Sequence, residues 1–141
     1  MQPLDLSKHP PRSPKVELVG LVMLARTIDK LRAGLPGGNM GVYTIAGFSQ
    51  RILDAIGVSE GQLREVVKDA QNDEDVVEWL QAHVDRNRLI EVSDLIRRRS
   101  LDDVDREKFA DRYPIIKQKP ELYYLSDVLD ADDAEMFSTR R

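Results

Sequence analysis

Apolar residues recur every three or four positions along most of the chain, which is the period of an amphipathic α-helix. The longest apolar run follows Ser13-Pro14, where serine is a favoured N-cap and proline suits the first helical position. We therefore predict a first helix, helix 1, over residues 14–33, ending at Gly34. Its first half is apolar on nearly all sides, so this helix is expected at the centre of the fold.

Caps and helix breakers predict further, shorter helices downstream. Ser59 and Gln62 have the spacing of a capping box, and Asn72 or Asp73 precedes an acidic first turn that suits the positive end of a helix. Besides a helix beginning near residue 73, the predicted segments are 50–56, 60–71, 90–99, 102–112 and 125–136. No long alternating pattern of strands occurs. The expected fold class is all-α, a compact bundle of six or seven mostly short helices around helix 1.

Two segments are expected to lie outside this helical pattern. Residues 1–12 contain three prolines and are predicted to form an extended N-terminal arm, which leaves 13–141 as a single all-helical domain. Residues 34–47 hold five of the eight glycines and are predicted to form a loop with a short extended piece near Val42. A loop of that length in a compact domain is often functional, although a plain surface connection is an equal alternative.

Composition narrows the class of protein. A chain of 141 residues with 41% hydrophobic and 33% charged residues is expected to form one soluble globular domain. Its net charge of −4 makes a nucleic-acid partner unlikely, and the absence of cysteine excludes disulfides and thiolate metal sites. No stretch approaches the ~20 apolar residues of a membrane span. We expect a cytoplasmic protein with no membrane partner and no cofactor or metal.

Several blocks of the chain resemble a family of small bacterial proteins known as domain of unknown function 5069. The opening block is the most specific, because it joins the Pro-rich segment Pro11-Arg12-Ser13-Pro14 to the charged triplet Ile28-Asp29-Lys30. The segments Leu53–Gly57, Asp73–Leu80 and Leu129–Asp133 are similar to its later blocks. The resemblance implies a small helical bacterial protein, and it implies no activity.

Charged residues at the end of helix 1 form the main candidate site. Arg26 and Lys30 are one turn apart with Asp29 between them, and Arg12 in the arm could fold back toward them. Such cations could bind a carboxylate or phosphate, for which the arginine fork is well suited. The alternative is structural: the cations pair with Asp29 and with acids of segment 127–135, locking the arm onto the core.

Other candidates carry weaker signals. Trp79 is expected in the core, with a role as a partner-binding anchor as the alternative, and Tyr43 in the glycine-rich loop is a second candidate for partner binding. The cluster Arg97-Arg98-Arg99 could contact phosphates, but flanking acids favour a solvated face. No His-Glu-x-x-His, phosphate-loop or calcium-loop motif occurs.

We conclude from the sequence that a non-enzymatic binding or interaction module is the leading hypothesis. Its partner would be a small anionic ligand or another protein, including a second copy in a homodimer. One alternative is a small helical enzyme acting on an anionic carboxylate or phosphate, with Asp29 or Asp130 as general acid or base. A carboxylate with a raised pKa in a concave pocket would favour it. The other alternative is a weak nucleic-acid-binding regulator using Arg97 to Arg99.

Overall fold

The protein is mostly helical, as the sequence predicts. The computed structural model describes residues 1–138. Besides a single 3-10 turn at Leu101–Asp103, the elements are β1 Glu17–Leu18, β2 Leu21–Val22, α1 Leu24–Ala33, α2 Phe48–Ile56, α3 Glu60–Asp69, α4 Asp73–His83, α5 Arg86–Arg98, α6 Arg106–Arg112, α7 Ile115–Gln118 and α8 Leu125–Ser138. The prediction of a compact helical fold with a central first helix is confirmed.

Helix α1 lies at the centre of the fold: all of its residues except Arg32 are buried, and the charged residues Arg26, Asp29 and Lys30 are among them. It packs against α2, α3 and β1. Leu24, Ile28 and Leu31 are at most 1% exposed and join the main core, which extends through α2 to α5. Because α1 also buries polar side chains, these groups need partners or a cavity of their own.

The prediction that helix 1 starts at residue 14 is wrong. Residues 17–22 instead form a short antiparallel hairpin. Its strands, β1 and β2, are two residues long, and Leu18 pairs with Leu21. Val19 and Gly20 at its turn both have positive φ, as does Met23 just before α1. Positive φ interrupts a right-handed helix, so α1 begins only at Leu24. The apolar run that resembles a long helix is a buried hairpin followed by a short helix.

Two helix starts with capping side chains, those of α3 and α4, are predicted correctly. Ser59 and Gln62 form a reciprocal capping box at α3, and the Asn72 side chain accepts from the Asp75 amide at α4. Other boundaries differ because local caps lie elsewhere. Asp85 caps α5 and moves its start from residue 90 to Arg86, and the short helix α7 lies between the predicted segments 102–112 and 125–136.

The first residues of the chain form backbone hydrogen bonds with the glycine-rich loop. Leu6 is 1% exposed, and its amide donates to the Asn39 carbonyl at 2.7 Å. The Asn39 amide in turn donates to the Leu4 carbonyl at 2.9 Å. Gly41 has φ +58° and approaches Leu6 so closely that an added Cβ would lie 2.8 Å from its carbonyl oxygen. The extended piece expected near Val42 is absent from this part of the described chain, where residues 42–45 form no strand.

A second, smaller core forms between α7 and α8. Its buried members are Leu101, Ile115, Leu125 and Val128. Phe48 and Tyr113 contact both this cluster and the main core. The two cores therefore meet beside the N-terminal end of α2 and the end of α6, and this junction contains the candidate site.

Candidate functional site

A cavity of about 490 Å³ lies at the junction of the two cores. Its walls come from α1, α2, α6, α8, the glycine-rich loop and the residue that follows α5. Phe48, Phe109 and Tyr113 line one part together with aliphatic side chains such as Leu125 and Met136. A pocket of this size with aromatic walls is typical of sites for small molecules.

The charge of the lining is strongly unbalanced. Among residues 1–138, five cationic side chains line the cavity and Asp132 is the only carboxylate that does. The five cations are Arg26, Lys30, Arg51, Arg99 and Arg112. The chain as a whole has a net charge of −4, so the lining is more positive than the chain as a whole. A cationic, partly apolar cavity attracts organic anions.

Arg26 is held by a buried ion pair with Asp133 of α8. Its Nη1 donates to Asp133 Oδ2 at 2.6 Å and its Nη2 donates to Oδ1 at 3.1 Å, a bidentate arrangement. Tyr43 Oη donates to the same carboxylate at 2.7 Å, and the Arg26 guanidinium lies 5.4 Å from the Tyr43 ring centroid. Burial and then the hydrogen bond to Asp133 raise the pKa of Tyr43, so its hydroxyl remains a donor. These contacts fix one wall of the cavity.

Lys30 lies one turn further along α1 and has no carboxylate partner among residues 1–138. It is 6% exposed, and its Nζ donates only to Ser49 Oγ, at 3.4 Å. Burial, followed by repulsion from Arg26 and Arg112, lowers the pKa of Lys30 to about 7. Asp133 opposes this shift, but its charge is already shared by Arg26 and Tyr43. Lys30 therefore titrates near neutral pH.

Arg51, Arg99 and Arg112 bring three more cations to the cavity from α2, from the end of α5 and from α6. None of the three forms an ion pair within residues 1–138. Burial and then repulsion from Arg51 lower the pKa of Arg99, and its buried Nε has no hydrogen-bond partner within the same residues. Clustered cations without counterions are costly unless an anion joins them.

Asp132 is the single acidic group of the lining. Burial and the neighbouring charge of Asp133 raise its pKa, while Arg26 and Arg112 act in the opposite direction. A carboxylate with a raised pKa in a concave site is the feature that favours the enzyme hypothesis. The cavity lining therefore contains a carboxyl group with a raised pKa and an amine with a lowered one.

The structure divides the predicted site residues between two places. Arg26, Lys30 and Tyr43 line the cavity. Arg12 and Asp29 lie outside the lining: Arg12 donates to Asp29 and, with Nη1, to Asp73 Oδ2 at 2.7 Å. This second cluster fastens the segment before the hairpin to α1 and α4. The two places are linked, because Arg26 Nη1 also donates to the Arg12 carbonyl at 3.3 Å.

Trp79 lies away from the cavity. Its side chain is half-buried, packs against the main core and stacks on His83, with ring centroids 4.1 Å apart. Arg97 is exposed and pairs with Glu17 and Asp94, whereas its neighbour Arg99 turns into the cavity. Within residues 1–138, no cluster of acidic and histidine side chains has the arrangement of a metal site.

The sequence alone does not bring Arg51, Arg99 and Arg112 together. They come from three elements that are distant along the chain, and their convergence depends on packing. Arg99 is part of the basic cluster visible in the sequence. The other two arginines of that cluster, Arg97 and Arg98, do not line the cavity. The usable signal is the position of Arg99 directly after the last turn of α5, where the chain turns back toward the core.

Comparison with known proteins identifies a family for this chain. A family model described as "Domain of unknown function (DUF5069)" matches residues 8–135. The chain belongs to the DUF5069 family. The match includes every cavity-lining residue named above except Met136, so the cavity is built almost entirely from the family domain. A search of curated proteins finds no significant match. None of the helices described for this DUF5069 member has both the length and the apolar character needed to cross a membrane.

Proposed function

We propose that this protein binds a small organic anion, a carboxylate or phosphate with an apolar body, in the cavity at the end of α1. The observation that carries the proposal is the charge of the lining: five cations stand against one carboxylate. Arg26 is neutralised by Asp133 and Lys30 is partly neutral near pH 7, which leaves three arginines to one carboxylate. An anionic ligand would supply the missing counter-charge.

The chemistry of the walls narrows the ligand class. Arginine guanidinium groups bind carboxylate and phosphate oxygens in a bidentate fashion. The rest of the lining is aromatic and aliphatic, with Phe48, Phe109 and Leu129 among its members. A fully hydrated inorganic ion gains little from such walls, whereas an anion with an apolar body removes apolar surface from water. We therefore favour an amphipathic anion over a free inorganic one.

The buried ion pair defines the role of the residues around the ligand. Arg26 and Tyr43 both donate to Asp133, so these three residues position the wall. Lys30, Arg51 and Arg112 retain unused donors and are the groups that would contact the anion. The binding module is proposed to work in the cytoplasm, in keeping with a chain that contains no cysteine.

Isothermal titration calorimetry with hexanoate, benzoate and inorganic phosphate tests the proposal, with hexanol as the uncharged control. We expect hexanoate or benzoate to bind, hexanol to bind weakly or not at all, and added salt to reduce the affinity. The matched variants are Arg112→Gln, which removes a cation from the cavity, and Arg106→Gln, which removes one from the exposed start of the same helix. Arg112→Gln is expected to weaken binding by about tenfold or more.

Two results would overturn the proposal. One is the absence of binding heat and of any thermal shift with all three anions. The other is an equal loss of affinity in Arg106→Gln and Arg112→Gln, because the anion would then respond to overall charge and not to the cavity.

A further inference from the structure

Lys30 differs from the other cations of the cavity in its surroundings. Lys30 is buried on the central helix, and its amine donates one long hydrogen bond to the Ser49 hydroxyl. The guanidinium of Arg26 lies one turn away on the same helix, and Arg112 faces it from α6. A buried ammonium next to other cations is unfavourable, so the neutral amine is populated at physiological pH.

A neutral lysine amine in a desolvated, cationic site is a nucleophile toward carbonyl carbon. Lys30 lines the main cavity and also a smaller one near Met40 and Thr44. Arg51 and Arg112 would hold the anionic group of a bound molecule. Asp132 brings a carboxyl group to the same cavity.

We infer that Lys30 forms a Schiff base with a small carbonyl compound that carries a carboxylate, such as a 2-oxo acid or an aldehyde acid. The inference deepens the proposed function and rests on it, because the arginines that bind the anion would present its carbonyl group to Lys30. It turns the binding module into a site capable of covalent chemistry.

The step balances without an external oxidant or reductant. The nitrogen lone pair of Lys30 attacks the carbonyl carbon, the C=O π bond breaks and the oxygen takes up a proton, giving a carbinolamine. The carbon–oxygen bond then breaks, and the oxygen leaves as water with the two protons that the amine has lost. Solvent water, or a carboxyl group of the same cavity such as Asp132, would carry these protons.

Reductive trapping tests the inference on the full chain. The protein is incubated with glyoxylate and sodium cyanoborohydride, and the modified lysine is located by peptide mass mapping. We expect Lys30 to be labelled at least about tenfold faster than exposed lysines such as Lys68 and Lys15, which serve as references in the same digest. Lys30→Arg keeps the charge and should abolish the fast label, while the internal comparison needs no variant to fold.

Separate outcomes distinguish this inference from the proposed function. If hexanoate binds and slows trapping at Lys30, both stand. If hexanoate binds but Lys30 reacts no faster than Lys68, the anion site stands and the Schiff base is overturned. If Lys30 is labelled quickly but neither hexanoate nor Arg112→Gln changes the rate, the inference fails as stated, because the arginines then have no part in presenting the carbonyl.

Discussion

Arg26 and Lys30 occupy successive turns of α1 and line the same cavity, yet only Arg26 has a carboxylate partner within residues 1–138. The pairing of Arg26 with Asp133 leaves Lys30 beside a cation whose counter-charge is already engaged. This difference assigns separate roles to two residues of similar charge. Arg26 stabilises the wall, whereas the Lys30 amine has no carboxylate partner within residues 1–138 and is the group proposed to meet the ligand.

The first prediction concerns the buried ion pair. The Asp133 carboxylate neutralises Arg26 and accepts a hydrogen bond from Tyr43. Asp133→Asn removes this negative charge but keeps a side chain of similar shape. Because a buried charge is left unpaired, we expect the free energy of unfolding to fall by about 3–5 kcal/mol. Urea denaturation of the wild type and the variant measures this loss.

Asp127→Asn is the matched control for this prediction. Asp127 lies on the same helix and pairs with Lys15, but both side chains are largely exposed to solvent. A surface pair contributes at most about 1 kcal/mol, so the control should change stability little. Similar losses in the two variants would show that the Arg26 pair has no special weight.

The second prediction concerns pH. The pKa of Lys30 is about 7 in the folded protein and 10.5 in the reference state. Between these values the unfolded chain binds more protons than the folded one, so the free energy of unfolding gains a contribution that rises with pH. Lys30→Met removes this contribution. The variant should be more stable than the wild type at pH 7 by about 1–3 kcal/mol, and the difference should shrink as pH rises.

Urea denaturation between about pH 7 and about pH 9 checks the pH effect, since tyrosines with an ordinary pKa of about 10 stay mostly protonated in that window. The control is Lys68→Met, which removes an exposed amine on α3 and should preserve the wild-type pH dependence. The interpretation of Lys30 would be wrong if Lys30→Met kept the full wild-type slope, or if it were less stable than the wild type at pH 7.

The third prediction uses two glycines with open space around them. No atom lies within 4 Å of an added Cβ at either Gly57 or Gly61. Gly57 ends α2 with φ +74°, so Gly57→Ala should lower stability by about 1–2 kcal/mol through backbone strain alone. Gly61 is inside α3 with helical geometry, so Gly61→Ala should raise stability by up to about 1 kcal/mol. Thermal unfolding gives both values, and effects of the same sign would refute the backbone explanation.

Much of the helical pattern is readable from the sequence because its signals are local. The side chain that starts α3 is Ser59 and the one that starts α4 is Asn72, and each lies within three residues of the amide it caps. The start of α1 is not readable in this way. Val19 and Met23 take positive φ because the hairpin packs on the core, where the Val22 amide donates to Ser93 Oγ at 2.9 Å. Tertiary contacts therefore override the apolar period of residues 14–23.

The candidate site shows the same division. The spacing of Arg26 and Lys30 predicts that they share a face, and both line the cavity. Asp29 does not line the cavity with Arg26 and Lys30. It pairs instead with Arg12, which also pairs with Asp73 of α4. Arg51 and Arg112 reach the cavity only through the packing of α2 and α6, and no local pattern in their neighbours encodes that meeting.

The ion pair between Arg26 and Asp133 joins residues 107 positions apart. During synthesis, the segment that carries Arg26 leaves the ribosome long before the segment that carries Asp133. Until α8 arrives, Arg26 has no counter-charge on the chain and the cavity lacks a wall. The cavity is thus complete only when α8 has emerged, and a nascent chain that stops before α8 lacks one wall of the proposed anion site.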